Sequence, residues 1–224
     1  SSLNIKFSGS DILGLKNSYD KVQTKQIWSD NKINTPQYVS DIFDWSNLPD
    51  SLKKASKLVI KPSREGSSLG VSIIKNNSEN FLKAIKHAKK YEGSPIIEEF
   101  IPGRELTIAV LGDLVCDPIE IEAQEDFYNF EAKYNRTDTS YSFPVFAEDK
   151  LAKLKKLSKN AFDLLGCDKW GRVDLIEYED KFFFIEVNTV PGMTETSLVP
   201  KSAEKEGLSF YELIKKIIMD SIDN

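Results

Sequence analysis

Residues 170–194, WGRVDLIEYEDKFFFIEVNTVPGMT, put hard oxygen donors on strands that are otherwise aromatic and β-branched. Period-two alternation predicts a strand over 172–178, with Arg172, Asp174 and Ile176 on one face and Val173, Leu175 and Glu177 on the other. Glu179-Asp180 is a turn signal, and 182–188 has the composition of a second strand. Glu186 and Asn188 share a face, and a loop centred on Asp180 sets Asp174 opposite Glu186. One face then carries Arg172, Asp174, Glu186 and Asn188 beside apolar neighbours, which is costly unless something neutralises the carboxylates. Two carboxylates and an amide oxygen suit Mg²⁺, which leaves its other positions to phosphate and water. Arg172 on that face would reach a phosphate or a developing anion. From spacing alone, a satisfied ion pair in an ordinary hairpin accounts for the pattern equally well.

The 224 residues are 40% hydrophobic, enough for a sizeable core or two small ones. Asp+Glu outnumber Lys+Arg by 35 to 30, so neither a polyanion-binding surface nor a nucleic-acid partner is expected on charge grounds. No apolar run approaches the ~20 residues that span a bilayer, and no signal-peptide pattern opens the chain. Cys116 and Cys167 are the only cysteines and have no metal-site spacing, which fits a reducing cytoplasm. With no initial Met, SSLNIKFSG reads as following an N-terminal part.

Along the chain, residues 3–9 read as a strand. Ser18-Tyr19-Asp20 offers capping chemistry for a helix over about 20–30, with Val22, Ile27 and Trp28 as its apolar positions. NTPQYV (34–39) turns into a strand, and a short helix is expected near 51–56. KLVIKPSREGSSLGVSIIK (57–75) reads as strand, loop, strand. Such a Gly/Ser loop can fold over phosphates, with Lys61 as a point charge at the strand end. It is not a Walker pattern, and a plain hairpin turn explains it as well. An amphipathic helix follows over 77–91, on which His87 reads as inert. Then come a strand over 95–100 and strands over 105–111 and 114–121. Glu98 and Glu105 flank the IPGRE turn, where they would meet an adenine amino group and ribose hydroxyls or simply be solvated. The polar, aromatic-bearing stretch 123–142 reads as a lid. A helix over 149–165 stops at Gly166, 191–200 reads as a loop, and 209–222 as a closing helix.

YDKVQTK, KPSREGSSLGVS, the EE–GRE–T segment, FYNFEAKY, GRVDL, IEVNTVPGMT and SLVPKSA occur in one order with consistent spacing over nearly the whole chain. Together they resemble the D-alanine–D-alanine ligase family of the ATP-grasp fold. The resemblance implies an α+β architecture in which two α+β domains clasp ATP, here 21–105 and 106–224 with a lid at 123–142. Residues 1–20 would be the end of an N-terminal substrate domain mostly outside this sequence. That domain carries, in the family, a Glu that orients the first D-alanine.

The resemblance also implies roles. Lys21, Lys61 and, from the lid, Lys133 would contact ATP phosphates. Glu98 would bind the adenine amino group, with the backbone of Glu99 and Ile101 at the ring edge, Glu105 on the ribose and Phe127 as a further nucleotide contact. Asp174, Glu186 and Asn188 would hold two Mg²⁺ (or Mn²⁺). Arg172 and the backbone of Gly192 would stabilise the anionic transition state. Ser67 and Tyr134 would meet across the closed site, and Ser197 and Leu198 would hold the second D-alanine's carboxylate. The expected activity is ATP-dependent formation of D-alanyl-D-alanine through a D-alanyl phosphate, for peptidoglycan precursors, in a cytoplasmic homodimer without membrane or nucleic-acid partners. The alternatives are a D-alanine–D-serine or other carboxylate–amine ligase, and a non-catalytic ATP-binding module. A closing lid and charge-neutralising groups are what acyl-phosphate chemistry requires.

Overall fold

The computed structural model describes residues 6–123 and 139–222. Two antiparallel sheets with helices against them form a mixed α+β architecture. The smaller sheet has strand order β1-β4-β2-β3, with β1 at Tyr38–Ser40, β2 at Lys57–Pro62, β3 at Ser72–Lys75 and β4 at Pro95–Glu99. Alternate residues Leu58, Ile60 and Ile97 bury against Leu52 of α3 (Asp50–Lys53) and Phe81, Ala84, Ile85 and Ala88 of α4 (Ser78–Ala88). Asn77 caps α4 by accepting from the Asn80 N–H.

The larger sheet runs β10-β9-β5-β7-β8, with the short β6 paired to β5. Its strands are β5 (Arg104–Leu111), β6 (Leu114–Val115), β7 (Ile119–Ala123), β8 (Thr139–Ser142), β9 (Trp170–Tyr178) and β10 (Lys181–Asn188). One face, with Leu106, Ile108, Val110, Val173 and Leu175, packs on α5 (Glu148–Leu164) and on Trp28 of α2 (Lys21–Asp30). The Trp28 indole donates to the Ala161 carbonyl at 2.9 Å and meets the Phe184 ring edge-on at 6.0 Å. On the opposite face, Ala109, Leu111 and Trp170 lie under α6 (Leu198–Lys205) and α7 (Phe210–Ile222).

Several elements differ from sequence expectation. No strand is found over residues 6–9; instead Asp11 caps a helix, α1 (Ile12–Tyr19). Gly14 on α1 lies against the Gly166 carbonyl, where a Cβ would stand 2.5 Å away. The strand expected over 114–121 is broken at 116–118, where Pro118 has no N–H to offer a ladder. Part of the expected 191–200 loop is the start of α6, whose Pro200 sits in the first turn, where no N–H is missed.

The β9–β10 hairpin also departs from a loop centred on Asp180. Glu179 and Asp180 form a two-residue turn at φ 47° and 59°, so Lys181 pairs with Tyr178 and Phe184 with Leu175. The register then shifts between Phe184 and Glu186, and Glu186 pairs with Asp174 after all. The pairing expected from sequence is reached through a β-bulge at Ile185 rather than through the turn.

Trp28 is fully buried and joins α2 to the larger sheet's core. Trp28→Ala should therefore cost about 3–5 kcal/mol of unfolding free energy, measured by urea denaturation; a loss near zero would show that this packing is not needed.

Candidate active site

A cleft of about 520 Å³ lies between the two sheets. Its walls are apolar where Val59 and Ile73 of the smaller sheet, with Val71 of the loop before β3, face Leu175, Ile176 and Ile185 of the larger. Charged groups line the remainder. Lys21, Lys61, Glu98, Glu99, Ile101, Glu105, Asp174 and Glu186, all marked by the sequence, lie along it.

Helix α2 supplies the first cations. Asp20 caps it through the Val22 and Gln23 amides. Its buried stripe is Lys21, Thr24, Lys25 and Trp28, the helical spacing that puts all four on one face. The Lys21 ammonium lies 3.2 Å from Glu186 and donates to the Glu65 carbonyl at 2.5 Å, while its own N–H donates to the Ser63 carbonyl at 2.9 Å. That helix end therefore holds the Gly/Ser loop. Within the loop, Ser67 (φ 53°) and Ser68 (φ 59°) are left-handed. Gly66 and Ser68 face the cleft; Ser67 does not line it.

One turn further on, Lys25 is fully buried and reaches Glu98 of β4 at 3.3 Å. Lys61, at the end of β2, stands 3.0 Å from the same oxygen. Burial pushes the Glu98 carboxyl up, but the two ammoniums outweigh it and hold its pKa below the ordinary range. Lys25 shares its anion with Lys61, so burial prevails there and pushes its pKa down to about 8. Sequence reasoning singled out Lys21 and passed over Lys25, although four-residue spacing on one helix was the available signal.

On the larger sheet, Arg172 grips Asp174 with two hydrogen bonds, at 2.8 and 2.7 Å. The buried Thr107 hydroxyl on β5 donates to the same carboxylate at 2.6 Å, a contact sequence reasoning missed. Desolvation pulls the Arg172 pKa down, but Asp174 and more distant carboxylates raise it overall, so it remains a cation. Burial likewise pushes Glu186 up, and Lys21, Lys61 and Arg172 more than reverse it. Asn188 pairs across the strands with Arg172, and its side-chain oxygen accepts from the Val190 N–H at 3.0 Å.

The backbone at 98–101 is partly committed: the Glu99 N–H donates to the Gln37 carbonyl and the Ile101 carbonyl accepts from Gly103. Gly192, Ser197 and Leu198 are not cleft-lining. A Cβ at Gly192 would stand 3.0 Å from the Ser197 hydroxyl, which accepts from the Thr194 N–H and leaves α6, opened by Leu198, without a side-chain cap. Phe127, Lys133 and Tyr134 lie outside the described residues.

Glu98 has a depressed folded pKa. Its contribution to stability is present above the ordinary value of 4.5 and lost as pH falls through the folded value. Thermal unfolding midpoints should thus drop as pH falls from about 4.5 through the folded value, and Glu98→Gln should flatten this acid limb; an unchanged limb would show that Glu98 carries none of it.

A family model described as D-ala D-ala ligase C-terminus matches residues 27–219. The chain is 37% identical to the D-alanine–D-alanine ligase of Saccharophagus degradans, over 98% of this chain and 70% of that protein. It is 37% identical to the one of Pseudomonas entomophila, over the same shares. Among solved structures it is similar to the D-alanine–D-alanine ligase of Bacillus anthracis, with TM-score 0.86 and 30% identity over 99% of this chain and 73% of that one. It is also similar to the structure of that enzyme complexed with ATP, with TM-score 0.84 and 26% identity over 99% of this chain and 72% of that one.

Proposed function

We infer the activity of this chain from the family to which it belongs, the D-alanine–D-alanine ligases. It joins two D-alanines at the expense of ATP, releasing ADP and phosphate, and so supplies dipeptide for peptidoglycan precursors. The observation that carries this best is the convergence of Lys21, Lys61, Asp174 and Glu186 on one inter-sheet cleft, with Arg172 anchored on Asp174. Phosphoryl transfer asks for positioning and charge neutralisation rather than a covalent group, and such a cleft offers both.

In this scheme the apolar walls take the adenine, Glu98 accepts from its amino group, the backbone at Glu99 and Ile101 borders the ring and Glu105 holds the ribose. Phe127 adds a nucleotide contact. Lys21 and Lys61, with Lys133 of the 123–142 lid, hold the phosphates. Arg172 and the Gly192 N–H stabilise the anion that develops as the first D-alanine's carboxylate is phosphorylated and then attacked by the second D-alanine's amine. Ser197 and Leu198, at the start of α6, hold that second carboxylate, where a helix N-terminus favours negative charge. Ser67 and Tyr134 fasten the lid, and Tyr134 favours an amine as second substrate.

Asp174 and Glu186 face each other across β9 and β10, with Asn188 two residues on. Their oxygens are the hard donors that Mg²⁺ or Mn²⁺ takes, so these residues fit two such ions. Bound there, the ions would neutralise phosphate charge. Residues 21–105 and 106–224 as the two grasping domains, a homodimer and a cytoplasmic location belong to the same proposal. No helix among the described residues is long and apolar enough to cross a membrane.

Phosphate release from Mg-ATP should require D-alanine, fail with L-alanine and accompany dipeptide formation. ATP binding without release would favour a binding module, and product with D-serine but none with D-alanine would overturn the substrate assignment. Asp174→Ala or Glu186→Gln should lower turnover on the order of 10³-fold or more with the fold intact; near-normal turnover would remove the metal assignment.

A further inference from the structure

We propose that Lys25 is the positioning residue that keeps Glu98 an ionised acceptor during the reaction, and that it thereby sets the preference for a 6-amino over a 6-oxo purine nucleotide. This rests on the reading of the inter-sheet cleft as the ATP site.

Glu98 lines the cleft and has, among the described residues, two ammonium partners, Lys61 at 3.0 Å and Lys25 at 3.3 Å. The two are not equivalent. Lys61 lines the cleft itself, at the end of a strand beside the Gly/Ser loop. A bound polyphosphate would draw it away from Glu98. Lys25 does not line the cleft and has no exposed surface. Its ammonium donates to the Thr35 hydroxyl at 2.5 Å and lies 5.5 Å from the Tyr38 ring centroid. The Thr35 hydroxyl in turn donates to the Phe184 carbonyl of β10 at 2.8 Å, so its oxygen lone pairs are turned toward Lys25. Tyr38 pairs with Glu98 across β1 and β4. Lys25 is therefore held in place whether or not a nucleotide is bound, and it can act on a nucleotide only through Glu98.

Glu98 is 2% exposed. With Lys61 turned to phosphate and Lys25 absent, no cation among the described residues would stand beside it, and burial would favour its protonated form. Ionised, it only accepts hydrogen bonds and suits the amino group of adenine; protonated, it carries an O–H that can serve a 6-oxo purine. A single buried cation thus decides which base edge the carboxyl reads. Specificity of this kind is large when a mismatch leaves a buried polar group unpaired.

The test is equilibrium titration with ATP and with ITP, in Mg²⁺ and without D-alanine, on the wild type and on Lys25→Met, Glu98→Gln and the double variant. The wild type should favour ATP. Lys25→Met should shrink the ATP:ITP affinity ratio by about tenfold or more, and with D-alanine present it should raise KM for ATP with much less change in kcat. In the Glu98→Gln background, Lys25→Met should leave the ratio unchanged, because an amide serves either base edge. An equal loss of ATP and ITP affinity in Lys25→Met, the same change in both backgrounds, or a wild type indifferent to the base would each overturn the proposal. Should Lys25→Met not fold, Lys25→Gln carries the test. Its amide can still donate to Thr35 and Glu98 but carries no charge, so the ratio should fall; an unchanged ratio overturns the proposal. D-alanine-dependent phosphate release by the same wild-type sample is read separately, so its absence would count against the ligase assignment without touching the binding ratio.

Discussion

The site depends on one change of phase in a strand. Before Ile185, β10 turns Phe182 and Phe184 into the core beside Leu175 and Trp28. A regular strand would send Glu186 after them, because side chains two apart share a face. The bulge at Ile185 inserts one residue, so Val187 returns to the core while Glu186 emerges opposite Asp174. A one-residue slip reverses every side chain beyond it. Without the bulge, either a carboxylate would be buried among aromatic rings or those rings would leave the core.

The second constraint is charge. Burying carboxylates and ammoniums is unfavourable unless they find one another, and a lone survivor of such a pair is more costly still. The chain meets this by bridging the sheets with α2. Lys21, at its first turn, answers Glu186 of the larger sheet, and Lys25, one turn later, answers Glu98 of the smaller. Trp28 continues the same helical face into apolar packing with Phe184. A helix of low hydrophobicity is thereby buried along one stripe, and the two walls of the cleft are tied to a single rigid element. On the far wall, Arg172 and Thr107 hold Asp174 in one orientation, which leaves its oxygens aimed by neighbours rather than by solvent.

Much of this was legible in the sequence, for identifiable reasons. Period-two alternation separated Arg172 and Asp174 from Val173 and Leu175, and Gly166 marked where α5 had to stop. Asp20 was readable as a cap because its chemistry is local. Helix α1 was missed because its apolar residues form no buried stripe: Ile12 and Leu13 are exposed, and the residues it buries are Gly14 and Ser18. The start of α6 read as loop because Pro200 and the preceding Gly, Pro and Thr residues dominate that window. Lys25 was passed over because nothing within KVQTKQIWSD reveals that a carboxylate 73 residues away is its partner.

What the sequence determined by itself was local: which residues alternate, where helices begin and which donors share a strand, since these follow from backbone geometry over a few residues. The motif order also sufficed to identify the family. Only the tertiary structure decided where the phase of β10 changes, because both phases satisfy the strand locally and only the packing of Phe182, Phe184 and Val187 in one core distinguishes them. It alone decided that Glu98 would be shared by Lys25 and Lys61, because the free energy of a buried charge is set by groups that meet only when the two sheets close on α2.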